Sequence, residues 1–168
     1  MSLKRIRTRI GAVICSLVLL AAGLVVGLAT SQASATTSAA AVNSGGVVML
    51  APCRVADSRN GTPLSTFYAY ETQDLYLASS CGVPYFPAAS GVILSITVVP
   101  APWSTAGGGY LTVYPSYGVR PTVSQVSYNW YTVSTEVTVR MAYSSIAIYN
   151  GSAGDADVIV DVAGYIVA

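Results

Sequence analysis

The sequence contains no histidine, and its single lysine is Lys4. The first absence removes Ser-His-Asp and Cys-His nucleophilic catalysis together with the usual zinc sites. The second leaves no lysine in the body of the chain to reach a phosphate, and no glycine-rich strand-to-helix loop is present to cradle one. Charge of either sign is scarce, with eight Lys and Arg and seven Asp and Glu in 168 residues. Beyond the first nine residues only Arg54, Arg59, Arg120 and Arg140 stand against those seven acids, a net charge of −3. Nucleic-acid binding needs a basic stripe that displaces phosphate counterions, and this chain lacks one. Paired carboxylates are the one catalytic resource left. None of Asp57, Glu71, Asp74, Glu136, Asp155, Asp157 and Asp161 sits in a context that marks a cleft, so we expect no enzymatic activity and no cofactor.

What the N-terminus does have is cations followed by a long apolar run. Lys4, Arg5, Arg7 and Arg9 precede "IGAVICSLVLLAAGLVVGLA", residues 10–29, which carry no charge. That order is a basic n-region and an apolar h-region. Ala33-Ser34-Ala35 then supplies the small-x-small pattern of a signal peptidase site, so residues 1–35 read as a signal peptide cleaved after Ala35. The run is also about the 20 residues that an uncleaved anchor needs; the cleavage pattern directly behind it favours secretion. Cys15 follows Ile14 rather than a small residue, which argues against a lipid anchor. We therefore expect a secreted, extracellular or cell-surface protein, with the membrane involved only if the leader is kept.

Residues 36–46 are small and polar without periodicity and read as a flexible spacer. About 120 residues follow, enough for one domain with a core. Two cysteines remain after cleavage, Cys53 and Cys81, and in an oxidising compartment an even pair reads as a disulfide rather than as two buried thiols. From residue 47 to 168 the chain is a series of short apolar or alternating runs. "STEVTVRMA" puts Val137, Val139 and Met141 on one side and Glu136, Thr138 and Arg140 on the other, the period of a half-buried strand. Asn60-Gly61, Gly107-Gly108-Gly109, Tyr117-Gly118 and Asn150-Gly151 punctuate the runs as turns. Seven or eight such strands predict an all-β, single antiparallel β-sandwich of jelly-roll type.

Tyrosine is plentiful: all twelve, with Trp103 and Trp130, lie beyond the leader. β-sheets favour these residues for cross-strand packing, yet an apolar ring with a polar tip also suits contact with sugars or proteins. Trp103, in the glycine-rich loop "PAPWSTAGGG", lacks the sheet explanation and is the leading binding candidate. Tyr110 and the "SYNWY" stretch follow, with Tyr128 and Trp130 on one strand face and Asn129 and Tyr131 on the other. Asn150, Asp155 and Asp157 could offer oxygens to calcium, but their segment lacks the spacing of a known loop and its Asn-Gly and Gly-Asp steps are good turn formers. No metal site is expected. Asn60-Gly-Thr62 and Asn150-Gly-Ser152 fit the glycosylation sequon.

The ordered blocks "PCRVADSRNG", "CGVP", "ITVVPAP", "GGYLTVYPS", "RPTVS" and "DVIVDVAGYIV" resemble a family of secreted β domains of actinobacteria and acidobacteria, over about residues 51–166. That family runs P-x-R-V-x-D-T-R, G-V-P, L-N-V-T, G-Y-L-T-V-Y-P, R-P-x-x-S and D-V-x-x-D-V-x-G-Y. Here Ser58 replaces the usual Thr, and Ser95-Ile96-Thr97 stands where L-N-V-T is usual. The resemblance implies an extracellular all-β domain, of a family with no established catalytic activity. It also implies that the first and last blocks meet, Arg54, Asp57 and Arg59 with Asp157 and Asp161, in an Arg–carboxylate clamp in which Arg59 or Arg54 holds Asp161 in bidentate fashion. The function expected is that of a structural or protein-interaction module of the cell envelope or matrix, able to self-associate. The alternative is a carbohydrate-binding module using Trp103, Tyr110, Tyr128, Trp130 or Tyr131, with glycans as partners.

Overall fold

The computed structural model describes residues 46–104 and 107–168. The signal peptide expected at 1–35, and all of the spacer except Gly46, lie outside the described residues. Short runs of β-branched and aliphatic residues between turn formers give eight strands: β1 (Val47–Asp57), β2 (Thr72–Tyr76), β3 (Ala89–Pro100), β4 (Gly109–Pro115), β5 (Val126–Tyr128), β6 (Val133–Arg140), β7 (Ser145–Asn150) and β8 (Ala156–Val167).

The pairing explains the architecture. β1 pairs with β8, β2 with β7, β3 with β6 and β4 with β5, all antiparallel. One long hairpin rolled on itself has this pattern, and it is the jelly roll. Added ladders between β3 and β8 and between β4 and β7 merge the pairs into two four-stranded sheets, ordered β1-β8-β3-β6 and β2-β7-β4-β5. The antiparallel β-sandwich expected from the turn spacing is the fold observed.

Alternation decides what fills the space between the sheets. Val92, Leu94, Ile96 and Val98 of β3, Val158, Val160 and Val162 of β8, and Val137 and Val139 of β6 share one buried cluster with Leu75, Leu111, Val113, Val126, Ile146 and Ile148 of the other sheet. Non-polar burial on this scale is the main force holding the sandwich. Phe67 and Leu64, from the β1–β2 connection, join the same cluster. Phe67 is tied by paired backbone bonds to Ala156, at 2.9 and 3.0 Å. Cys53 on β1 is bonded to Cys81 in the β2–β3 connection, 28 residues away, with Cα atoms 5.7 Å apart.

Two long runs form strands over only part of their length. "TFYAYETQDLYLAS" becomes a strand only from Thr72, because Tyr70 adopts φ 60°, outside the β region. "TVSQVSYNWYTV" yields only the three residues of β5. Upstream of β5 the Gln125 side chain takes over the ladder: its Oε1 accepts from Val113 N at 3.0 Å and its Nε2 donates to Val113 O at 2.8 Å.

Candidate functional site

The first and last strands meet as polar partners on the β1-β8-β3-β6 sheet. Arg54 and Asp161 are paired in register across β1 and β8, and the Arg54 guanidinium donates to both carboxylate oxygens, Nε to Oδ1 at 2.9 Å and Nη2 to Oδ2 at 3.2 Å. Arg59 turns back on its own segment and grips Asp57 through Nε and Nη2 at 2.8 and 2.6 Å. Asp161 therefore belongs to Arg54, and the alternative pairing with Arg59 does not occur. Arg54 also lies 3.6 Å from Asp57, which joins the two pairs. The Arg59 hydrogen bonds hold the Asp57 carboxyl below the ordinary carboxylate range, and the Asp161 hydrogen bond raises Arg54. The Ser58 hydroxyl bridges the two segments: it donates to Asp157 Oδ1 at 2.8 Å and accepts from Val158 N at 2.9 Å.

The aromatics organise a different surface. Eight of the twelve tyrosines are exposed, six of the twelve lie in strands, and Tyr110 packs across strands against Tyr149 at 6.3 Å. At one end of the sandwich the β1–β2, β3–β4, β5–β6 and β7–β8 connections come together, and each of the first three carries exposed rings: Tyr68 and Tyr70, Trp103, and Trp130 with Tyr131. The fourth connection, residues 151–155, ties this crown together. Asp155 accepts from Ala69 N at 3.2 Å and from the Trp103 indole Nε1 at 3.0 Å. Tyr70 N donates to Ser152 O and Ser152 Oγ donates to Gly108 O. A Cβ on Gly107 would stand 3.3 Å from the Trp130 ring, so that indole lies against the β3–β4 backbone.

Beneath the crown sits Asn150, fully buried at the end of β7. Its side-chain oxygen accepts from Tyr128 Oη at 3.0 Å and Ser152 N at 3.1 Å, and its Nδ2 donates to Tyr68 O and Gly154 O at 3.0 and 2.9 Å. Tyr128 is thus a largely buried support beneath the crown, and burial pushes its phenol pKa up. The shared face expected for Tyr128 and Trp130 fails because β5 ends at Tyr128 and the chain bends before Trp130.

Asn150, Asp155 and Asp157 do not converge: Asp157 accepts from Ser58 and Thr66, away from the Asp155 contacts. Among the described residues no three His, Cys, Asp or Glu groups are placed to hold a metal.

Two clefts flank the crown. One, of 260 Å³, is lined by Ser127, Tyr128, Asn129 and Val133. The other, of 290 Å³, lies on the outer face of the β2-β7-β4-β5 sheet between Tyr110 and residues 120–124. Tyr110 packs against Gly151, where any Cβ would overlap its ring, so this cleft adjoins the crown. The opposite end of the sandwich carries a smaller aromatic group, with Tyr143 at 5.9 Å from Tyr117 and 6.1 Å from Phe86.

Of the residues singled out by sequence, Trp103, Trp130 and Tyr131 lie together in the crown, Tyr110 lines the adjoining cleft and Tyr128 is buried below. Tyr68 and Tyr70 were not singled out, and Asn150 was considered only as a calcium oxygen or a turn residue. The first two sit in an aromatic run with no turn former, and Asn150 reads as a turn residue in Asn-Gly; the joining of Ala69 and Trp103 through Asp155 has no local signal. Comparison with protein-family models, with curated proteins and with solved structures finds no match for this chain, which leaves the chemistry of these surfaces to carry the reading.

Proposed function

We propose that this protein is a non-catalytic extracellular binding module that takes glycans on its aromatic crown. The observation that carries the reading is the gathering of Tyr68, Tyr70, Trp103, Trp130 and Tyr131, all exposed, on loops at one end of a rigid sandwich. Aromatic rings present broad apolar faces at small entropic cost, while Asp155, Glu71 and Asn129 lie among them as polar groups on the same loops. Flat rings beside hydrogen-bonding groups suit the alternately apolar and hydroxylated faces of a sugar. Export is supported by the leader-like N-terminus and by the resemblance to secreted β domains, and the Cys53–Cys81 disulfide fits an oxidising compartment.

Both tryptophans of the chain belong to the crown, so tryptophan fluorescence reports on that end alone. Titration of the purified protein with cell-wall and matrix glycans should give a saturable change with at least one of them, and Trp103→Ala should abolish it. A flat signal with every glycan would refute the reading.

A second reading, a protein-interaction or assembly module, is favoured by the Phe86, Tyr117 and Tyr143 group at the far end. Exposed apolar patches mark contact surfaces. Light scattering that rises with protein concentration, without any glycan response, would select it.

A further inference from the structure

We infer that the cleft beside the crown is a subsite for a carboxylate-bearing sugar unit, with Arg120 as the residue that recognises the carboxylate. The inference rests on the crown being a glycan surface, and it names the kind of glycan.

Among the described arginines, Arg54 and Arg59 are committed to Asp161 and Asp57. Arg120 forms no ion pair among the described residues. Its guanidinium instead lies over the ring of Tyr149, 3.7 Å from the centroid, a cation–π contact. Stacking uses the face of the planar group and leaves the N–H groups along its edge free. Those edges make the bidentate bonds that a carboxylate accepts. Asp74, on the neighbouring strand of the same sheet, accepts from Ser116 Oγ at 2.7 Å and does not pair with Arg120.

The rest of the cleft supplies what a sugar ring needs. Tyr110 is partly exposed and its ring is fixed by contact with Gly151, so it offers an apolar surface of set orientation. Thr122 and Ser124 bring hydroxyls to the wall. The volume of 290 Å³ stands at the lower end of the roughly 300–1,000 Å³ typical of small-ligand sites, room for one sugar unit of a longer chain. Gly151 is part of the connection that also holds Ser152 and Asp155, so a glycan lying on the crown can run into the cleft without a break. A neutral sugar would leave the Arg120 N–H groups unused; a uronate fills them.

The test is calorimetric titration of the purified protein with galacturonate and alginate oligomers and with their carboxyl-reduced counterparts. At least one acidic oligomer should bind about tenfold more tightly than its reduced form. Arg120→Gln should remove that advantage, so that acidic and reduced oligomers bind alike. Arg120→Lys should recover only part of it, since an ammonium lacks the planar fork. Melting curves check that the variants fold.

Equal binding of acidic and reduced oligomers, or full retention of the advantage by Arg120→Gln, would overturn the subsite and leave the glycan reading standing. Binding of neither would overturn both. Arg120-dependent binding of a poly-glutamate peptide without uronate binding would overturn the inference in favour of an acidic protein partner.

Discussion

Asn150 shows how one side chain can set a surface it does not reach. Its four hydrogen bonds join β5, the β1–β2 connection and the β7–β8 connection under the crown. Asn150→Ala leaves Gly154 O and the Tyr128 hydroxyl short of partners in a buried place, which we expect to cost about 2–4 kcal/mol. Urea denaturation measures that cost, and glycan affinity should fall with it because Tyr68 loses its tether. Asp57 supplies a prediction in pH. Its folded pKa is depressed by Arg59, so its contribution is full above the unfolded carboxylate value and is lost as pH falls through the folded one. The melting temperature should decline below about pH 4, and Asp57→Asn should lower it at neutral pH while weakening that acid-side decline. Residues of this kind were only partly legible. That an arginine of the first block meets Asp161 was expected, but whether Arg59 or Arg54 was left open; the exposure of Trp103 followed from its loop, and Asn150 was hidden because a buried hub and a turn former have the same local pattern.

At the scale of the strand, legibility follows neighbours. β3, β4, β6, β7 and β8 were readable because their burial alternates or saturates along the whole run. β2 and β5 are shorter than the apolar or alternating runs that hold them, since the pattern continues in sequence past the point where pairing stops. Loop conformation at Tyr70 and the side-chain substitution by Gln125 are tertiary effects with no periodic trace. β8 lies between β1 and β3, and it approaches β1 closely at Gly164, where a Cβ would stand 2.7 Å from Val48 O. We expect Gly164→Ala to destabilise by roughly 1–3 kcal/mol through forced backbone movement. A lower urea midpoint at unchanged slope would show it; an unchanged midpoint would mean that β1 can yield at no cost.

For the whole molecule, the sandwich architecture was legible and the sites only in part, because fold class follows from run length and turn spacing whereas a site is made by loops distant in sequence. The division of labour is spatial. One sheet carries the ionic lock between first and last strands, and one end carries the rings. The jelly-roll pairing also places the start of β1 beside the end of β8, with Val47 opposite Ile166 and Val167 N bonded to Gly46 O at 2.8 Å. A tensile load applied through these two points would peel β1 from β8 one rung at a time instead of shearing the ladder. The peel would halt at Cys53, which is moored to Cys81. In a single-molecule pulling experiment the oxidised protein should release a short length at low force and then resist, whereas reduction should let the first strand come away entirely: the fold behaves as a zipper with a stop sewn six residues in, after Pro52.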